Sequence, residues 1–274
     1  MVIRVFRSAA ALAGALAADV ARALKANPRL VLGLPAGRTP LPLYDELARL
    51  HCAGRADFRR ATAFNLDEFV GLAAAHQGSY RAFMRAHLFN RINLPLARTL
   101  APRGDARDVV RECARYERAI LRAGGIDLQI VGLGLNGHIG FNEPASTLIA
   151  RTHRARLSPR TRRANAALFG GRVSAVPRDA ISMGMSTILG AGRVVLVATG
   201  ARKAAAVHAL IEGPLTTQLP ASLLQLHPRA EVWVDRDAAS RLRGAGATAP
   251  RRLRRWRRGR NRGPRGASRA RGRR

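Results

Sequence analysis

Short apolar runs alternate along the chain with longer stretches in which apolar residues recur every three or four positions. The runs fall near residues 2–6, 29–34, 60–64, 127–133, 194–199 and 230–234. Their length and bounding glycines predict strands, and the stretches between them predict helices. In the first such helix Leu12, Leu16, Val20 and Leu24 form one face, Asp19, Arg22 and Lys25 lie on the polar side, and Ser8 is placed to cap the start. The strands are apolar throughout rather than alternating, as in a parallel sheet buried on both faces. Together these patterns predict an α/β fold: a single Rossmann-like domain, its sheet mostly parallel, with helices on both faces.

The opening residues also imitate a secretory signal, with a basic start, an Ala/Leu-rich run and small residues after it. The amphipathic period, continuing through Lys25, favours a strand and helix of the domain instead. No run approaches the roughly 18 to 20 apolar residues of a membrane span, so no membrane partner is expected. At 274 residues and 47% apolar, the chain can bury a sizeable core. Two cysteines, Cys52 and Cys113, have neither disulfide-framework nor metal-ligand spacing, which fits a reducing cytoplasm.

Charge changes the picture at one end. The formal net charge is +31, and residues 244–274 carry thirteen arginines and no acid. The composition boundary near 243 divides a domain, 1–243, from an Arg-rich tail, 244–274, that lacks the apolar content to fold and is expected to be disordered. Such a tail can grip polyanions non-specifically through phosphates, or it is a non-selected extension.

Four stretches carry candidate chemistry. In LGLPAGRTPLPLY a strand runs into Gly37, Arg38 and Thr39, with Thr39 and Pro40 reading as N-cap and first helical residue. Free amides at a helix start beside an arginine suit a phosphate. In FNLDEFVGL, Asp67 and Glu68 follow a strand; one is expected to face a crevice as a general base, the other to cap or face water. In VGLGLNGHIGFNEPAS, four glycines surround Asn136, His138 and Glu143. A histidine oriented by a carboxylate is suited to proton transfer near neutral pH; no His or Cys pair accompanies it to hold a metal. In VATGARKAAAVHALIEG, Lys203 opens a helix against its dipole, a conflict that a bound anion would resolve. The remaining histidines, His153 among them, read as structural.

Taken in order, these stretches resemble the glucosamine-6-phosphate deaminase (glucosamine-6-phosphate isomerase) family over about residues 2 to 242. SYRAFM, VPRDAISMG and LQLHPRAEVWVD add to the resemblance, and LNGHIGFNEP is its most specific piece. The resemblance implies conversion of glucosamine 6-phosphate and water to fructose 6-phosphate and ammonia, in amino-sugar catabolism, without a metal or organic cofactor. It implies that Asp67 is the base at C2, that His138 opens the ring with Glu143 tuning it and Asn136 orienting it, and that Gly37, Thr39 and Lys203 hold the phosphate of a hexosamine 6-phosphate. Both monomers and homo-oligomers fit such a family. The related 6-phosphogluconolactonases share a similar Gly-His loop but not its F-N-E-P continuation, and a non-catalytic sugar-phosphate sensor would lack the proton-transfer groups.

The sequence departs from the family pattern in places. Ala36 stands where the family commonly has Thr, and Ala167 where it has a phosphate-binding arginine. Arg38 enters the phosphate loop and is expected to stand in for that arginine. His153 and Ala155 occupy positions that are basic in the activator pocket of allosteric members.

Overall fold

The computed structural model describes residues 1–243 and the backbone of residues 251 and 252. Strand β1 (Val2–Phe6) leads into α1 (Ala9–Ala26), and β2 (Val31–Leu34) into α2 (Leu41–Cys52). β3 (Thr62–Asn65) passes through Leu66 into β4 (Asp67–Phe69). There follow α3 (Tyr80–His87), β5 (Thr99–Leu100), α4 (Val109–Arg122), β6 (Leu128–Gly132), β7 (His153–Arg156) and α5 (Pro159–Asn165). The last part holds β8 (Asp179–Ser182), α6 (Met185–Leu189), β9 (Arg193–Ala198), α7 (Ala204–Glu212), β10 (Ala230–Asp235) and β11 (Arg251–Arg252).

The main sheet has the order β11-β1-β10-β9-β6-β2-β3-β5, and every pairing is parallel except that of β11 with β1. All six strands read from the sequence lie in it. The pairing of Arg251–Arg252 with Val2–Ile3 falls where the sequence reading places no strand; otherwise the expected disorder of 244–274 lies outside the described residues. A second sheet, β4-β8-β7, is antiparallel and was not anticipated. Its strands are short and charged, His-Arg-Ala-Arg and Asp-Glu-Phe, so they lack the apolar run that marks a strand.

The apolar runs are continuous because both faces of the main sheet are covered. Along β9, Val194, Leu196 and Ala198 pack into one core with α4, α6 and α7, while Val195 and Val197 pack into the other with α1 and α2. On α1, Leu12, Leu16, Val20 and Leu24 are all buried, and Ser8 Oγ accepts the Ala11 amide as the expected N-cap.

The order of the strands fixes where a ligand can enter. From β2 the sheet grows outward through β3 and β5; the chain then returns to the other side of β2 and grows in the opposite direction through β6, β9 and β10. The connections on either side of the β2–β6 seam run to opposite faces, which leaves a crevice at the carboxyl ends of these strands. The loops after β2, β3, β6 and β9 all open at that edge.

Beside this edge Glu68 is 1% exposed. Its carboxylate accepts the amides of Phe69, Tyr80 and Arg81 and the Ser79 hydroxyl, at 2.7–2.9 Å, closing the start of α3. It therefore caps a helix, as one of the two acids was expected to, but in the interior rather than in water. Glu68→Ala leaves three buried donors unpaired, the Arg81 amide keeping Ser79 Oγ as an acceptor, and is expected to destabilise the fold by about 3 kcal/mol or more, measurable as a lower urea midpoint at unchanged m-value.

Candidate active site

The loop after β6 is shaped by glycine at two places for different reasons. A Cβ on Gly134 would sit 2.4 Å from the His138 ring, so the ring can fold back over the loop only against glycine. Gly137, at φ +83°, makes the turn between Asn136 and His138 in a conformation that side chains disfavour. The turn brings three groups of the loop together. Asn136 Nδ2 donates to Glu143 Oε2 at 2.8 Å, and His138 Nδ1 lies 3.7 Å from the same oxygen, an ion-pair contact longer than a hydrogen bond. The other carboxylate oxygen, Oε1, accepts the hydroxyls of Ser158, at 3.1 Å, and Thr161. Burial opposes the charge on Glu143, but His138, Thr161 and Asn136 outweigh it and bring the pKa down to about 2. Nδ1 is turned to this fixed anion, and Nε2 of His138 forms no hydrogen bond among the described residues.

Asp67 reaches the same edge by another route. It is paired with Ser182 across β4 and β8, and Ser182 Oγ accepts the amide of Phe141 from the histidine loop at 3.0 Å. Gly140 packs on Leu66, the residue before Asp67, closely enough that a Cβ would lie 3.3 Å from the Leu66 side chain. Asp67 and the histidine loop are thus joined through one buried serine. The Asp67 side chain is buried and forms no hydrogen bond among the described residues. Burial, with Glu68 next to it, pushes its pKa well above the usual carboxylate range. Tyr44 and Tyr80 help to wall it in; burial, and then the charge of Asp67, raises both phenols.

The expected phosphate groups line the same edge. Gly37 takes φ +111°, and Thr39 and Arg38 border a cavity of about 200 Å³ with Gly132 of β6, Thr199 after β9 and the first turns of α1. Thr39 is not the helix cap expected from Thr-Pro. A turn from the Leu41 amide to the Arg38 carbonyl, 3.3 Å, brings Pro40 into the cap position at φ −80°, so the helix starts at Leu41 without a side-chain cap. Lys203 closes the short turn before α7, and its Nζ donates to the carbonyl of Leu133, next to the histidine loop. Burial, with Arg202 and Arg160 nearby, lowers its pKa to about 8. Arg38 is exposed and is not among the cations felt at Lys203. Ala167 is exposed on the short helical turn Ala166–Phe169 that follows α5, and His153 lies in β7 rather than in a helix or loop.

Sequence reasoning missed Ser158, Thr161 and Ser182, which hold the histidine loop from outside it. For the first two a signal existed: Ser158-Pro159 is an N-cap and first-turn pair, and it does cap α5. Ser182 had none, because only the antiparallel pairing of β4 with β8 places it beside Asp67.

Comparison with known proteins agrees with this geometry. Residues 6–233 match the model of the family described as glucosamine-6-phosphate isomerases/6-phosphogluconolactonase. A glucosamine-6-phosphate deaminase of Cellvibrio japonicus is 49% identical over 81% of this chain and 84% of its own length. One from Arthrobacter sp. is 48% identical over 84% of this chain and 88% of its own. Among solved structures, a monomeric glucosamine-6-phosphate deaminase superposes with a TM-score of 0.85 at 39% identity, covering 88% of this chain and 99% of that one. A 6-phosphogluconolactonase from Trypanosoma cruzi shares the fold at a TM-score of 0.70 and 20% identity, over 88% of this chain and 96% of that one. The family match over most of the chain, the close relatives and the crevice at the β2–β6 seam lead to one conclusion: this chain belongs to the glucosamine-6-phosphate isomerase/6-phosphogluconolactonase family.

Proposed function

We propose that the protein is a glucosamine-6-phosphate deaminase, converting glucosamine 6-phosphate and water to fructose 6-phosphate and ammonia. The observation that carries this reading within the family is Asp67, a buried carboxylate without a hydrogen-bond partner among the described residues, tied through Ser182 to the His138 loop. A lactonase needs no base at C2, whereas isomerisation does. A carboxylate whose pKa burial has raised is matched to taking a carbon-bound proton near neutral pH. The relatives that carry the name deaminase support the same choice.

In this reading Nε2 of His138 moves the proton that opens the pyranose, and Glu143 and Asn136 hold the ring in the orientation and tautomer that the step needs. Asp67 then takes the proton from C2 and returns it at C1, which leaves an imine at C2. Water adds to that carbon, the nitrogen takes a proton, and ammonia departs as the C2 ketone forms. The last step is a hydrolytic deamination, so the overall reaction is an isomerisation joined to a hydrolysis. Lys203, the Gly37–Thr39 backbone and Thr39 hold the phosphate. An unpaired thiol pair, Cys52 exposed and Cys113 buried, suits a reducing compartment, and we place the enzyme in the cytoplasm.

The direct test is an assay for ammonia and fructose 6-phosphate from glucosamine 6-phosphate. Asp67→Asn is expected to lower kcat by about a hundred- to ten-thousandfold with KM within a few-fold, since only proton abstraction is lost; a variant that keeps most of its kcat removes Asp67 from the mechanism. His138→Gln is expected to be slow on the cyclic substrate and to recover much of its rate on an analogue already in the open chain. Equal losses on both would count against ring opening as its role. Lysine is charged below its pKa, so phosphate binding through Lys203 is present at neutral pH and lost above it. The ratio kcat/KM is expected to fall on the alkaline side with a midpoint near the Lys203 pKa of about 8, and Lys203→Arg should move that fall to higher pH. An alkaline limb unmoved by the substitution would assign it to another group.

A further inference from the structure

Two buried polar side chains without partners stand two residues apart where β3 meets the crevice. Asn65 is 2% exposed, and neither its Nδ2 nor its Oδ1 has a hydrogen-bond partner among the described residues. Asp67, just beyond it, is buried and equally without one. A buried amide with its donors and its acceptor all unpaired costs free energy, and protein interiors hold few of them. Such a group belongs with a state of the protein in which it is paired.

The main chain here makes no use of the amide. The Asn65 carbonyl accepts the Tyr116 hydroxyl at 2.6 Å, the Leu66 amide donates to Leu34 at 2.9 Å, and the Leu66 carbonyl accepts the Met183 amide at 3.0 Å. Asp67 is then paired with Ser182 across β4 and β8. The segment is held from both sides, so its side chains start from fixed points. Phe64 and Leu66 pack into the core with α4, α6 and α7, and Ala63 packs into the core with α1 and α2. Alternation along an extended chain puts Asn65 on the side of Ala63, and Asp67 is the next position on that side. Neighbours on one side of a strand stand roughly 6.5 Å apart. An amide and a carboxylate turned towards each other close that gap to hydrogen-bond length.

Other side chains that act on Asp67 are engaged elsewhere. Glu68 is an acid that already takes four donors. The phenols within reach of the Asp67 charge are Tyr44 of α2, Tyr80 of α3 and Tyr116 of α4. They give their hydroxyls to the Pro35 carbonyl, to Asn165 Oδ1 and to the Asn65 carbonyl. The Asn65 amide is the donor left over.

We propose that Asn65 is the positioning residue for Asp67: its Nδ2 donates to the Asp67 carboxylate when that acid is ionised and so holds the oxygen that takes the proton from substrate. The proposal rests on the deaminase reading for the role of Asp67 as base, while the pairing of the two side chains stands apart from it. A donor on the carboxylate favours the anion over the acid and works against burial, which favours the acid. The amide thereby keeps a buried base ionised at neutral pH.

Asn65→Leu and Asn65→Asp test this on the full chain. Leucine is close to asparagine in size and carries no polar atom, so the first variant removes two unpaired groups and is expected to unfold at the same temperature as the parent or higher. It is nevertheless expected to lose about tenfold in kcat with KM within twofold. The acid limb of kcat/KM should rise by about one pH unit, the tenfold change in ionisation that a lost charge-assisted hydrogen bond brings. Asn65→Asp keeps the shape and puts an acceptor where the donor was, so its acid limb should rise at least as far. Acid limbs that coincide with the parent's in both variants overturn the proposal, as does a loss of kcat with the limb unmoved, which is what a merely structural role would give. The ionisation of Asp67 can also be followed without turnover, from the side-chain carbon resonance that is missing in Asp67→Asn. If the parent releases no ammonia from glucosamine 6-phosphate, the deaminase reading fails while this resonance still decides on Asn65: its midpoint rises by about one pH unit in Asn65→Leu if the amide holds the carboxylate, and an unmoved midpoint overturns the pairing.

Discussion

A parallel sheet whose growth changes direction must leave its loops apart at the point of reversal, and every candidate residue here is reached from that point. The reversal lies between β2 and β6. The loop after β2 carries Gly37, Arg38 and Thr39, and the loop after β6 carries Asn136, His138 and Glu143. β3, on the far side of β2, leads through Leu66 to Asp67; β9, on the far side of β6, is followed by Lys203. Main-chain hydrogen bonding thus fixes the spacing of the four segments before any side chain contributes.

Within the crevice, environment separates acids that are chemically alike. Glu68 and Asp67 are neighbours in the chain and both are buried, yet four donors engage Glu68 and none among the described residues engages the Asp67 side chain. The first is spent on closing α3; the second keeps a carboxylate free in a poorly solvated place, which is what a base needs. Glu143 is the opposite case. Hydroxyls, an amide and an imidazole surround it, so it stays ionised and works by holding its neighbours. It also couples two segments, because Ser158 and Thr161 begin α5.

Much of this was legible in the residues. The six apolar runs marked the main strands because the sheet is covered on both faces, so burial and sequence hydrophobicity coincide. The Ser8 cap and the four-residue spacing of Leu12, Leu16, Val20 and Leu24 marked α1, since both signals are local. The glycines around His138 marked the histidine loop, and the structure supplies reasons for two of them: close approach of the His138 ring at Gly134, and a left-handed turn at Gly137.

What the sequence by itself determined is therefore the set of elements, the class of fold and the short segments dense in chemical groups. Each of those depends on residues near one another in the chain. Tertiary structure alone decided which of two adjacent acids stays unpaired, because the donors to Glu68 come from α3. It also decided that Ser182 joins Asp67 to the histidine loop and that β4, β7 and β8 form a sheet at all. These contacts join residues tens of positions apart, and the forces that choose them, burial of charge and pairing of buried donors, act only once the chain has closed around them.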